Sequence, residues 1–242
     1  MIKFFRSIRQ NLLSEGKTVK YLKYAVGEIV LVVIGILIAL SLNNWNDKQR
    51  IILSERELLE NVLENIKTDS ISIDNIITAT DRILQIHKSL IEFSNQQISE
   101  NEVGNIDLIR KSEPNQIIIQ INNPNLPNQL LDQELKKVIL DYYLKIQWFE
   151  KTRTDNNEII EQYIRPMLAE KELLNFDFQV SDKGEFNNLI NRPKFFEAFK
   201  EEDLKQYLFE SRIKLNVLKL FAQQIAQKNN ETKEAILQYI NK

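Results

Sequence analysis

The sequence has no cysteine, one histidine, five glycines and five prolines among 242 residues. The lack of cysteine excludes disulfide bonds, thiolate metal sites and cysteine nucleophiles. The single histidine, His87, excludes a zinc site made of several histidines of one chain, and any Ser-His-Asp triad would depend on it. So few glycines and prolines argue against a glycine-rich phosphate loop and against a turn-rich all-β fold.

Charge is distributed unevenly along the chain. Residues 1–23 hold six Lys or Arg and one Glu, a net charge of +5, and the rest holds 26 basic and 33 acidic residues, a net charge of −7. The total of −2 and the pI of about 5.7 argue against a nucleic-acid-binding protein, which carries an excess of Lys and Arg. We therefore expect no nucleic-acid partner.

A long apolar segment separates the basic and acidic parts. Residues 25–42 read AVGEIVLVVIGILIALSL, and Glu28 is their only charged residue. Eighteen helical residues extend roughly 27 Å, close to the hydrocarbon thickness of a bilayer. The segment predicts a transmembrane helix over 24–44. A buried core helix and a cleaved signal peptide, with small residues at Ala39 and Ser41, are the alternatives.

The flanks of this segment predict its orientation and its anchors. Six basic residues precede it, so the positive-inside rule places the N-terminus in the cytoplasm and the C-terminal domain in the periplasm of a bacterial inner membrane. Residues 1–23 are expected to form a basic amphipathic segment on the cytoplasmic face, with a solvated tail as the alternative. The expected interfacial anchors are Phe4, Phe5, Arg6, Arg9, Tyr21, Tyr24 and Trp45.

The N-terminal fifth of the chain also carries a resemblance. Residues 4–47 contain a basic FR-IR motif, a YL-YA-GEI motif and the span VVIGILIAL, followed by NNWN. This stretch resembles the start of a family of uncharacterised single-span membrane proteins found in Bacteroidota. The resemblance implies an inner-membrane anchor and a helical periplasmic domain, and it implies no activity.

Residues 45–242 are expected to form an all-α domain outside the cytoplasm. The predicted helices cover about 45–97, 129–168 and 195–241. A loop over 98–128 contains the sequence QIIIQI, which is typical of a short strand. In the second connector, three phenylalanines are expected to cap the helices: Phe176, Phe178 and Phe186.

Apolar residues recur every seven positions in all three predicted helices, which favours supercoiled packing. The three stripes and two connectors predict an elongated three-helix bundle in which successive helices reverse direction, with an intermolecular coiled coil as the alternative. The first helix has one row with Ile52, Leu59, Ile66 and Ile73 and a second with Leu63, Ile77, Leu84 and Ile91. The second helix has one row with Leu135, Tyr142, Phe149 and Tyr163.

The predicted transmembrane helix has a candidate contact face. Glu28, Val32, Gly35 and Ala39 are four, three and four residues apart, so they lie on one side of the helix. Gly35 and Ala39 form a small-xxx-small pair, which lets membrane helices approach closely. We expect this face to contact another helix, with Glu28 bonded to a donor of the neighbour. The alternative is that Glu28 extends toward cytoplasmic water.

Few patterns point to catalysis. His87 lies in the same seven-residue row as Leu59 and Ile73, so a polar side chain at a helix contact is expected rather than a general base. The acidic residues around 197–203 are typical of an exposed helix start. The sequence predicts no enzyme activity, no cofactor and no metal site.

These expectations favour a non-enzymatic function. A membrane-anchored helical domain is expected to serve as an envelope scaffold or accessory subunit through helix–helix contacts. Its expected partners are membrane lipid and either a second copy of the chain or another envelope membrane protein. The alternative is a periplasmic sensing or ligand-binding domain, which would signal through a partner membrane protein.

Overall fold

The computed structural model of the protein describes residues 18–182 and 186–241. Residues 18–21 and 24 are described by their backbone alone. The chain divides into two compact units, Met1–Glu57 and Leu58–Lys242. Residues 1–17 of the predicted N-terminal amphipathic segment, with the anchors Phe4, Phe5, Arg6 and Arg9, lie outside the described residues.

The described residues are mostly helical and contain almost no strand, which confirms the all-α prediction. The helices are α1 (Thr18–Ser94), α2 (Ile119–Asn122), α3 (Leu126–Gln129), α4 (Gln133–Ile159), α5 (Arg165–Glu170), α6 (Arg192–Ala198) and α7 (Glu202–Ile240). A π-helical turn, Ile160–Ile164, joins α4 to α5, and 3₁₀ turns form at Glu100–Glu102 and Ile106–Arg110. Strands β1 (Gln179–Val180) and β2 (Phe186–Asn187) pair antiparallel.

In the first unit, α1 contains the apolar segment of the sequence. Val32, Leu37 and Trp45 are each more than half exposed. The most apolar part of the helix has no buried residue, and its length and composition suffice to cross a membrane. Among the described residues, α1 is the one candidate membrane span.

The C-terminal end of α1 is closed by backbone hydrogen bonds. Gln96 adopts a left-handed conformation (φ 59°) and donates its N–H to the carbonyl of Phe93, while Gln97 donates to the carbonyl of Glu92. These two bonds satisfy carbonyls that the end of a helix leaves without partners. The helix therefore stops at Ser94, three residues before the predicted end.

Hydrogen bonds and ion pairs fix the directions of the three long helices in the second unit. Asn229 of α7 contacts both Ile66 of α1 and Tyr142 of α4. Farther along the bundle, ion pairs join Asp81 to Lys219 and Asp155 to Lys214. Residue numbers rise along α1 and α4 and fall along α7, so α1 and α4 are parallel and α7 is antiparallel to both. The prediction that successive helices reverse direction is wrong for α1 and α4.

Residues 95–132, which we call the return segment, make the parallel arrangement possible. As residue numbers rise along the return segment, the residue numbers of its hydrogen-bond partners fall from α5 back along α4. The contacts join the carbonyl of Arg110 to Arg165, that of Glu113 to Asn157, the N–H of Ile117 to Glu150, and the carbonyl of Asn123 to Tyr143. The segment thus runs antiparallel to α4 and brings the chain back to the start of the bundle.

The strand predicted within the return segment is absent from the described structure of residues 116–121. Residues Ile119–Asn122 form the helix α2 instead. The carboxylate of Asp69 accepts the N–H groups of Ile118 and Ile119, which begin this helical turn and would otherwise lack partners.

The aromatic cap predicted for the second connector is also wrong. Phe176 is 93% exposed, and Phe178, which directly precedes β1, and Phe186 of β2 are also exposed. The buried aromatic residues come instead from α6 and the residue after it. Phe195, Phe196 and Phe199 are at most 3% exposed and pack with Phe93 at the end of α1.

The core of the second unit has two clusters of buried side chains. One surrounds Tyr142 and Phe149 in the middle of the long helices, and the other surrounds Phe195 near the end of α1. Most buried positions of α1 alternate by three and four residues, as expected for a seven-residue repeat. They are Glu55, Leu59, Val62, Ile66, Asp69, Ile73, Ile76, Thr80, Ile83, His87 and Leu90, and Ile86 and Ser89 are buried outside this pattern.

Two predicted rows deviate from this pattern. Ile91 and Leu63 are less buried than Leu90 and Val62, because the second row of α1 lies three residues after the first and not four. Tyr163 is 54% exposed, whereas Ile164 is buried. The π-helical turn adds one residue to the helical repeat and moves the buried row from position 163 to position 164.

Candidate functional site

The predicted membrane contact face lies on α1 in the first unit. Val32 is 57% exposed, Glu28 is partly exposed, and the spacing of both with Gly35 and Ala39 places the four residues on one side of the helix. A Cβ atom added to Gly35 would meet no heavy atom within 4 Å. Glycine inside a helix costs about 1 kcal/mol relative to alanine. Packing within the described chain gives no reason for this glycine.

Asp69 is the central polar side chain between α1 and the return segment. It is 0% exposed, and its Oδ1 and Oδ2 accept the N–H groups of Ile118 (2.7 Å) and Ile119 (3.0 Å). Burial raises the pKa of Asp69, because a charged carboxylate loses hydration, while the two N–H donors oppose this shift. The side chain therefore fixes the path of the return segment.

A second buried polar group joins all three long helices. The Nδ2 of Asn229 donates to the carbonyl of Ile66 (3.0 Å) and to the hydroxyl of Tyr142 (2.8 Å). Tyr142 is 0% exposed, and burial raises the pKa of its hydroxyl well above the usual range. The hydroxyl stays protonated, so this network has a structural role.

An apolar cavity of about 370 Å³ lies between the end of α1 and the start of α7. His87 lines the cavity, is 3% exposed, and has a buried Nε2 with no hydrogen-bond partner. Burial, and then the nearby Arg212, lower the pKa of His87 to about 4, so the imidazole is neutral at pH 7. The structure places His87 in the interior as expected and adds a cavity beside it.

A second depression has a basic lining. Among the described residues, four cationic side chains line it: Arg82, Arg110, Lys111 and Arg165. Burial and then Arg165 lower the pKa of Arg110, and the oxygens of Asp107 accept the N–H groups of Leu189 and Ile190. Asp107, the one carboxylate among the described lining residues, therefore already binds the backbone of the second connector.

No group of three or more His, Asp or Glu side chains suited to a metal ion occurs in the described residues. Of the acidic residues expected at a helix start, Glu201, Glu202 and Asp203 lie at the beginning of α7, where Asp203 pairs with Lys171. Glu197 lies near the end of α6 instead. Trp45 is 62% exposed on α1, which is compatible with its predicted role as an interfacial anchor.

Sequence reasoning missed Asp69 and Asn229, although both lie in the seven-residue repeat. Asp69 is seven residues after Val62 and seven before Ile76, and Asn229 is seven after Ala222. A polar residue in an otherwise apolar row is the signal that would have identified both. Their hydrogen-bond partners were not accessible from the sequence, because they lie 49 to 163 residues away.

Comparisons with known proteins give a family match for the N-terminal part. No curated protein and no solved structure matches the chain. The matched segment includes most of α1, with Gly35, Asp69 and His87, and the return segment up to residue 111. Over residues 28–111 the chain matches a family of unknown function (DUF6090), which confirms the expected likeness to an uncharacterised family.

Proposed function

We propose that the protein is a non-enzymatic, single-pass protein of a bacterial inner membrane that acts as an envelope scaffold or accessory subunit. Its N-terminus lies in the cytoplasm and its helical domain in the periplasm. The observation that carries the proposal is the exposed apolar surface of α1, in which Gly35 has no packing partner in the described chain. A small residue on an exposed membrane face fits close contact with a second helix.

The contact partner in this proposal is a second copy of the chain or another envelope membrane protein. Gly35 and Ala39 let the two backbones approach, and Val32 packs beside them on the same face. Membrane lipid covers the rest of the apolar surface.

Substitutions on two faces of α1 test the contact. Gly35→Leu and Ala39→Leu place bulk on the proposed contact face, whereas the control Val33→Leu changes a residue roughly on the opposite side. We expect Gly35→Leu and Ala39→Leu to reduce association at least tenfold, measured by cross-linking and by co-purification from gently solubilised membranes. Equal association of all three variants with the parent, at equal amounts in the membrane fraction, would overturn the contact.

Labelling tests the orientation. The natural chain has no cysteine, so a single cysteine introduced at Asn95 or at Ser14 is a unique target. A membrane-impermeant maleimide should label Asn95→Cys in intact spheroplasts and Ser14→Cys only after lysis. The reverse pattern would place the helical domain in the cytoplasm.

A periplasmic ligand-binding or sensing domain is the second candidate. The apolar cavity beside His87 favours it, because concave apolar sites with a few polar groups are typical of small-molecule binding. In this case the signal passes through a partner membrane protein. Mass spectrometry of the gently purified protein separates the two functions: a stoichiometric protein partner favours the scaffold, and a retained small molecule favours the sensor.

A further inference from the structure

We infer that the cavity beside His87 binds a small amphiphilic carboxylic acid, with the hydrocarbon chain in the cavity and the carboxylate at Arg212. This inference rests on the ligand-binding alternative for the function and does not depend on the scaffold proposal.

The cavity wall is suited to a hydrocarbon chain. Leu90, Phe199 and Leu208 are at most 4% exposed and line the cavity together with Ile91 and Phe209. Burying a methylene group among such side chains favours binding, because it removes apolar surface from water. If each non-hydrogen group takes about the 30 Å³ of a water molecule, the 370 Å³ accommodate about twelve of them.

The charges of the wall favour an acidic head group. The charged residues that line the cavity are Lys205 and Arg212, and no carboxylate lines it within the described part of the chain. Lys205 is already paired with Glu202 at 2.8 Å, whereas Arg212 forms no ion pair with a described carboxylate. Since the guanidinium offers two parallel N–H donors, it is well suited to a carboxylate.

His87 supplies the second polar contact. Its Nε2 is buried without a partner, which is unfavourable for a group that loses its hydrogen bond to water. When Nε2 carries the proton, it donates to a carboxylate oxygen of the ligand. Arg212 and His87 are close enough for the positive charge of Arg212 to lower the pKa of the imidazole. One acidic head group placed between them satisfies both.

The single histidine makes the test direct, because every imidazole resonance in the spectrum belongs to His87. The full chain, labelled at histidine and held in amphipol, is titrated with octanoate, and with octanol and octyltrimethylammonium as probes of equal chain length. We expect octanoate to shift the resonance saturably and to raise the His87 pKa, since a nearby carboxylate favours the imidazolium. Octanol should bind at least tenfold more weakly, and the cationic probe should have no effect.

Two variants separate a specific site from general attraction of anions. Arg212→Gln should weaken octanoate binding at least tenfold and leave octanol binding unchanged. The control Lys214→Gln removes a positive charge from the same helix, at a residue paired with Asp155, and should leave octanoate binding unchanged.

Three outcomes would overturn the inference. Equal binding of octanol and octanoate would show that the cavity accepts apolar molecules without regard to charge, and the ligand-binding function would survive. Unchanged octanoate affinity in Arg212→Gln would remove the head-group site. A resonance that no probe shifts would remove both the inference and the observation that favours a ligand-binding function, and the scaffold proposal would remain.

Discussion

The side-chain amide of Asn229 donates a hydrogen bond to the hydroxyl of Tyr142 over 2.8 Å, in the buried centre of the second unit. The same amide bonds to the carbonyl of Ile66, so one side chain joins three helices. A buried polar group of this kind stabilises a single register, because any sliding of one helix leaves the amide without partners.

Asn229→Ala should lower the free energy of unfolding by about 1–3 kcal/mol, since the substitution removes two buried hydrogen bonds and leaves a small cavity. Urea denaturation of the full chain in detergent, followed by near-ultraviolet circular dichroism, measures the change. In a double-mutant cycle with Tyr142→Phe, the coupling energy should be about 1 kcal/mol. Strict additivity of the two substitutions would contradict a stabilising bond between these side chains.

Asp69→Ala should destabilise the protein by about 2–5 kcal/mol, because it leaves the N–H groups of Ile118 and Ile119 buried without acceptors. The effect should be local as well. Hydrogen exchange of residues 117–122 should accelerate more than that of α7. Uniform acceleration across both regions would show that Asp69 does not specifically hold the return segment.

Asp69 also predicts a pH dependence. Its folded pKa is raised above the ordinary value of 3.8, so its protonated form favours folding below that pH, and this contribution is lost as the pH rises through the folded pKa. The side-chain amide of the variant Asp69→Asn does not titrate. The unfolding free energy of the parent minus that of the variant should therefore be largest below pH 3.8 and decrease as the pH rises above this value.

The pH dependence that His87 contributes to stability has the opposite sign. Its folded pKa of about 4 lies below the ordinary 6.5, so the unfolded chain takes up the proton first as the pH falls. The stability contributed by the neutral imidazole is complete above pH 6.5 and is lost down to about pH 4, by at most about 3 kcal/mol. The variant His87→Phe should show a flatter stability profile between these pH values. A parent and variant with parallel profiles would exclude a depressed pKa.

Cross-linking tests the direction of the return segment. The side chains of Asn65 and Asn122 are joined by a 3.0 Å hydrogen bond, so cysteines at these two positions should be bridged by a short bismaleimide in high yield. The control pair, cysteines at Asn65 and Glu158, would be close only if α1 and α4 formed an antiparallel hairpin. Efficient bridging of the control pair in place of the first would refute the parallel arrangement.

The helices and their buried rows were largely accessible from the sequence, because a seven-residue repeat directly reflects burial. Leu204, Leu218 and Ile225 of α7 are buried as their spacing predicts. The seven-residue repeat gives no sign of the π-helical turn in the second helix. The predicted row therefore continues through the turn to Tyr163, which is exposed.

The path of the return segment was not accessible in the same way. It depends on bonds from single side chains, such as Asp69 and Tyr143, to backbone groups 20 to 50 residues away. Periodicity describes which side of a helix is covered and says nothing about what covers it. The cavity beside His87 could not be predicted for the same reason, because its volume depends on how the ends of two helices meet.

The parallel course of α1 and α4 has a consequence for chain connectivity. Leu58 at the beginning of the second unit and Ile240 at the end of α7 both pack against the cluster around Tyr142. The two ends of the unit thus lie at the same end of the bundle. A short linker from Ile240 to Leu58, with new termini opened beside the exposed Phe176, would give a circular permutant of the second unit in which α4, α7 and residues 58–94 of α1 stay unbroken.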